Sequence, residues 1–70
     1  MEASTMKGIS RKEARLLQLL STGMNDFEVA EQLDLSVVKL EQLRQSVYQK
    51  LGVQSPEEAI NRARRLQVIN

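Results

Sequence analysis

Apolar residues recur along this chain at helical spacing, interrupted by a few polar punctuation marks. Ser10-Arg11-Lys12-Glu13 has the form of a capping box, in which a serine hydroxyl accepts from the N–H three residues on and a glutamate reaches back to the cap N–H. Leu16, Leu17 and Leu20 follow at helical spacing, and Thr22-Gly23 supplies a stop, because glycine accepts the left-handed conformation that closes a helix. Asn25-Asp26-Phe27-Glu28 opens a second segment of roughly two turns, with Val29, Ala30 and Leu33 on one face. Asp34-Leu35-Ser36 forms a tight connection, and Ser36 caps a third segment in which Leu40, Val47 and Leu51 make one stripe before Gly52. Ser55-Pro56-Glu57-Glu58 starts a fourth, with Ser55 as N-cap, Pro56 at the first helical position and Glu58 completing a box. Ala59, Ile60, Ala63 and Leu66 mark its apolar side, while Arg62, Arg64 and Arg65 lie where cations complement the helix dipole. No segment reads as a strand. The pattern predicts an all-α domain of four helices over residues 9–67, with a polar leader at 1–8 and a short tail at 68–70. The second and third helices, joined by a three-residue turn, read as helix-turn-helix.

Composition narrows the chemistry. A chain of 70 residues is one domain with a thin core. It has neither cysteine nor histidine, which excludes disulfides, zinc and copper sites of the usual kind, and Ser-His-Asp or Cys-His catalysis. Glu13, Glu28 and Glu58 read as helix caps rather than as a catalytic pair. No enzyme, metal or cofactor is expected. The longest apolar run, Leu16 to Leu20, is broken by Gln18 and falls far short of the roughly 20 residues of a membrane span. Met1-Glu2-Ala3-Ser4 lacks the basic start of a secretory signal, so a cytoplasmic protein without a membrane partner is expected. Phe27 and Tyr48 are the only aromatics, too few for a platform that stacks single-stranded bases.

Several stretches, in order and at matching spacing, carry a family resemblance. Ile9-Ser10-Arg11-Lys12-Glu13-Ala14-Arg15-Leu16-Leu17 resembles the opening of the LuxR-type helix-turn-helix domain. Gly23-Met24-Asn25-Asp26-Phe27-Glu28-Val29-Ala30-Glu31-Gln32-Leu33 is similar to that family's Gly-x-x-Asn-Lys-Glu-Ile-Ala-x-x-Leu segment. Leu35-Ser36, Lys39-Leu40 and Val47-Tyr48-Gln49-Lys50-Leu51-Gly52-Val53 resemble its third helix and Lys-Leu-Gly-Val exit, which also argues against the final domain of a sigma factor. The resemblance spans residues 9–66 and implies a DNA-binding transcriptional regulator. In such a domain the third helix enters the major groove and the fourth commonly pairs two copies, often behind a sensor domain.

On a wheel of 100° per residue the third helix turns Leu40, Val47 and Leu51 inward. Val38, Glu41, Gln42, Gln45 and Gln49 then face outward, Lys39 and Ser46 lie on one flank, and Arg44 sits on the opposite shoulder nearer the core. The resemblance puts Glu41, Gln42 and Gln45 against bases. Glutamine suits this, because its amide bridges adenine N6 and N7, and a carboxylate accepts from cytosine N4. Lys39, Lys50 and Ser36 are the candidate phosphate contacts, and Ile60, Ala63, Leu66 and Arg64 the candidate dimer residues, with Val68 and Ile69 adding apolar surface. The chain departs from the family where it has Glu41 for a basic residue, Lys39 for Thr, Leu43 for His and Phe27 for Lys. Residues 24–53 hold Lys39, Arg44 and Lys50 against Asp26, Glu28, Glu31, Asp34 and Glu41, a net charge of −2. Phosphate neutralisation supplies much of DNA affinity, so a monomer is expected to bind double-stranded DNA weakly and to act as a homodimer. The alternative is a protein-interaction module that forms a heterodimer with a LuxR-type regulator or docks through an exposed patch at Phe27 and Val38.

Overall fold

The computed structural model describes residues 8–69, in which the chain forms four helices: α1 Arg11–Ser21, α2 Asp26–Leu33, α3 Val37–Leu51 and α4 Pro56–Arg65. Apart from Gly8, the expected leader lies outside the described residues. Each helix begins at the polar residue that the pattern marks. Ser10, Asn25, Ser36 and Ser55 each accept a bond from the backbone N–H three residues on, satisfying one of the donors a helix start leaves unpaired. At Ser10 and Asn25 the glutamate returns the bond to the cap N–H. At Ser55 it does not. Glu58 Oε1 accepts instead from Gln54 N–H at 3.0 Å. Ser55 has φ −137°, against −81° and −82° at Ser10 and Asn25, which turns its N–H away from the first turn.

Leu16, Leu17, Val29, Leu40 and Val47 are fully buried, and they come from the first three helices. Ala59 and Ala63 close the core from α4, where small side chains allow its backbone to approach α1. α1 packs against all three other helices, whereas α2 and α4 do not touch. The Cα radius of gyration of 11.1 Å equals the roughly 11 Å of a well-packed chain of this length.

The structure corrects four placements. Leu19 belongs to the buried core, and Leu20 only packs against it, because neighbouring leucines leave the exact face of α1 open to a one-residue shift. Ile69 is buried, so residues 68–69 finish the core rather than trail as a tail. The chain reverses at Gln67, whose φ is 63°, and this lays Val68 and Ile69 back on the domain. Ala63 has no exposed surface, which removes it from any contact between copies. Ile9 and Val53 complete the core from loop positions outside any apolar stripe.

Candidate nucleic-acid interface

α3 is pinned along both shoulders, and the face between them is left to solvent. On one shoulder Ser46 and Lys50 stand a turn apart opposite Glu13 of α1. The Glu13 carboxylate accepts from Ser10 N–H at 2.8 Å, from Ser46 Oγ at 3.0 Å and from Lys50 Nζ at 2.9 and 3.0 Å. Glu13 is only 3% exposed. Burial alone pushes its carboxyl up, but the bonds from Ser10, Lys50 and Ser46 and the Lys50 charge outweigh this and hold it below the ordinary carboxylate value. Glu13 therefore does two jobs, capping α1 and fastening the C-terminal half of α3 to it.

On the opposite shoulder, Arg44 Nη1 donates to Asp26 Oδ1 of α2 at 2.9 Å, and Nη2 to Glu41 Oε2 at 3.4 Å. Beside it the Tyr48 hydroxyl is buried with no hydrogen-bond partner among the described residues. Burial raises the Tyr48 phenol; the Arg44 charge opposes the rise and Asp26 adds to it.

Val38, Glu41, Gln42, Gln45 and Gln49 are all exposed between these shoulders, on a helix of 15 residues. The structure thus brings the three expected base-facing residues onto one continuous face. Ser36 caps this helix, accepting from Lys39 N–H at 3.2 Å, and both residues stand exposed at its start. Lys39 has no ion-pair partner among the described residues. Lys50 differs, since its ammonium is engaged by Glu13. Phe27 and Val38 protrude, 76% and 67% exposed, and Val37 adds a third apolar side chain that the sequence pattern does not single out. On α4, Ile60 is half-buried while Arg64 and Leu66 are exposed, and Ser21, Glu57, Ile60, Asn61 and Arg64 line a shallow depression there.

Constraints that reach α3 from other helices carry no local sequence signal. The Ser46–Glu13 and Lys50–Glu13 bonds span 33 and 37 residues. Arg62 of α4 donates from Nη1 to the Leu51 carbonyl at 2.9 Å, satisfying an acceptor that the end of α3 leaves open. A polar or cationic residue at the right helical angle is the only trace each leaves.

Comparison with known proteins agrees with this geometry. Residues 7–63 match the family described as bacterial regulatory proteins, luxR family. The chain is 31% identical over 58 residues to the HTH-type transcriptional regulator MalT of Yersinia pestis (strain Pestoides F), and equally to that of Yersinia pseudotuberculosis serotype O:1b (strain IP 31758). The match covers 83% of this chain but only 6% of either relative. The response regulator ChrA, of a heme-sensing two-component system, superposes with a TM-score of 0.85 at 30% identity, over 90% of this chain and 31% of ChrA.

Proposed function

This chain belongs to the luxR family of bacterial regulatory proteins, and on that premise we propose that it binds double-stranded DNA as a transcription regulator, with α3 in the major groove and two copies on a two-fold site. One observation carries the reading: the unbroken exposed stripe Val38, Glu41, Gln42, Gln45 and Gln49, on a helix whose two shoulders are fixed by Glu13 and Asp26. A helix of this length is about 22 Å long, and the major groove, roughly 12 Å wide, admits it. Gln42 and Gln45 offer amides that pair with adenine, and Lys39 and Ser36 sit at the helix start where phosphates pass. Lys50 is the weaker phosphate contact, because leaving Glu13 would strand a buried carboxylate. Ile60, Leu66 and Arg64 are the α4 residues that would meet a second copy.

A second reading has its own support. Two of the three cations of residues 24–53 already face carboxylates, and Phe27 is largely exposed. These favour a domain that pairs with another regulator of the family and withholds it from DNA. Titration of fluorescent random-sequence duplex at about 50 and 200 mM salt separates the two. DNA binding predicts affinity that falls steeply with salt, and a log–log slope reduced by about 1 in Lys39→Ala. Absence of binding at the lower salt, in a folded sample, favours the protein-pairing reading, in which Phe27→Ala abolishes association with the partner regulator.

A further inference from the structure

We infer that Glu41 makes cytosine the base read at its place in the groove and that Arg44 is the positioning residue that sets it; this rests on the DNA-binding reading above. Glu41 shares the exposed face of α3 with Gln42 and Gln45. A lone carboxylate there would repel phosphates. Here it is not alone: Arg44 Nη2 stands 3.4 Å from Oε2, and Arg44 is itself anchored to Asp26 at 2.9 Å. The arginine lies inward, with its side chain 21% exposed, and the glutamate outward at 60%. The cation therefore backs the carboxylate from behind and offsets its charge, while Glu41 Oε1 has no partner among the described residues.

The chemistry of that oxygen selects the base. An ionised carboxylate only accepts hydrogen bonds. In the major groove cytosine presents the N4 amino donor, guanine presents the acceptors O6 and N7, and thymine presents O4. Adenine offers its N6 amino group, but with the N7 lone pair beside it. Cytosine is thus the base that meets Glu41 with a donor and no acceptor on its own groove edge, whereas Gln42 and Gln45 both donate and accept and suit adenine.

Selection of bound sites from a random duplex pool tests this with the wild-type chain, Glu41→Gln, Arg44→Met and Arg44→Lys, each checked for helix content by circular dichroism. The wild type is expected to enrich one cytosine per half-site, whose replacement weakens binding about 5- to 150-fold. Glu41→Gln, at an exposed position, is expected to fold and to move the enrichment to adenine at that position alone. Arg44→Met is expected to flatten discrimination there and leave the glutamine-read positions unchanged, with Arg44→Lys restoring part of it. Should Arg44→Met fail to fold, the Glu41→Gln comparison decides. Enriched sites whose cytosine content ignores Glu41→Gln overturn this inference and leave the DNA-binding reading standing. A pool from which no duplex is retained overturns both.

Discussion

Glu13 shows how much of this domain rests on single side chains. Its capping bond to Ser10 is local and legible in the sequence as Ser-x-x-Glu. Its bonds to Ser46 and Lys50 are not, because those residues are far away in the chain and only the packing of α1 on α3 brings them together. The lowered carboxyl gives a signed prediction. A group whose folded-state pKa lies below its unfolded value stabilises the fold above the unfolded value, and that contribution is lost as pH falls through the folded one. The wild type is expected to lose stability as pH drops below about 4, and Glu13→Gln to show a shallower loss over the same range. Urea midpoints measured from neutral pH downward check this, and parallel curves for the two proteins would refute it. At α3 the same limit on sequence reading applies: the outward placement of Glu41 follows from the wheel, whereas its pairing with Arg44, and that of Arg44 with Asp26 on another helix, does not.

Helix starts and helix stops differ in how plainly the sequence announces them. All four starts carry an N-cap side chain that the pattern identifies. The ends of α2, α3 and α4 share one closure, in which a residue of positive φ, one place past α2 and α3 and two places past α4, is followed by an N–H that returns to a carbonyl five residues back. Gly52 declares this closure openly, with φ 70° and the Val53 N–H bonded to the Tyr48 carbonyl at 3.0 Å. Asp34 and Gln67 perform the same turn at φ 59° and 63° with no glycine to mark it. For that reason no glycine marks the reversal after α4 that buries Ile69. A glutamine in this conformation is strained by its Cβ, so Gln67→Gly is expected to stabilise the chain by about 0.5–1 kcal/mol. Chemical denaturation checks it, and a loss of stability would show that the glutamine side chain contributes more than its backbone costs. Arg62 closes α3 from outside, and no property of α3 itself foretells that bond.

Across the four helices, α2 and α4 lie apart, with α1 and α3 touching both. A second copy against the exposed side of α4 would therefore leave the outward face of α3 and its α2 neighbour uncovered. Arg64→Glu combined with Leu66→Glu, both at exposed positions, is expected to keep the helix content, shift the sedimentation of the chain to the monomer and weaken binding to a two-fold site about 10-fold. A wild-type chain that sediments as a monomer on and off DNA would contradict the paired arrangement. The fold class, the element order and the face of α3 were all legible from periodicity and caps, because those signals are local. The electrostatics of the interface was legible only in part. Counting charges over residues 24–53 gives −2, but which cations remain available depends on Glu13, Asp26 and Glu41, and so on tertiary packing.

The outward face of α3 is the surface proposed to meet duplex DNA. The most direct test follows the backbone amides of a nitrogen-15-labelled chain by two-dimensional nuclear magnetic resonance as duplex is added at low salt. The largest shifts are expected on Val38, Lys39, Glu41, Gln42, Gln45 and Gln49, with the side-chain amides of Gln42 and Gln45 moving as well. Shifts confined to α4, or no shifts at all from a folded protein, would contradict it.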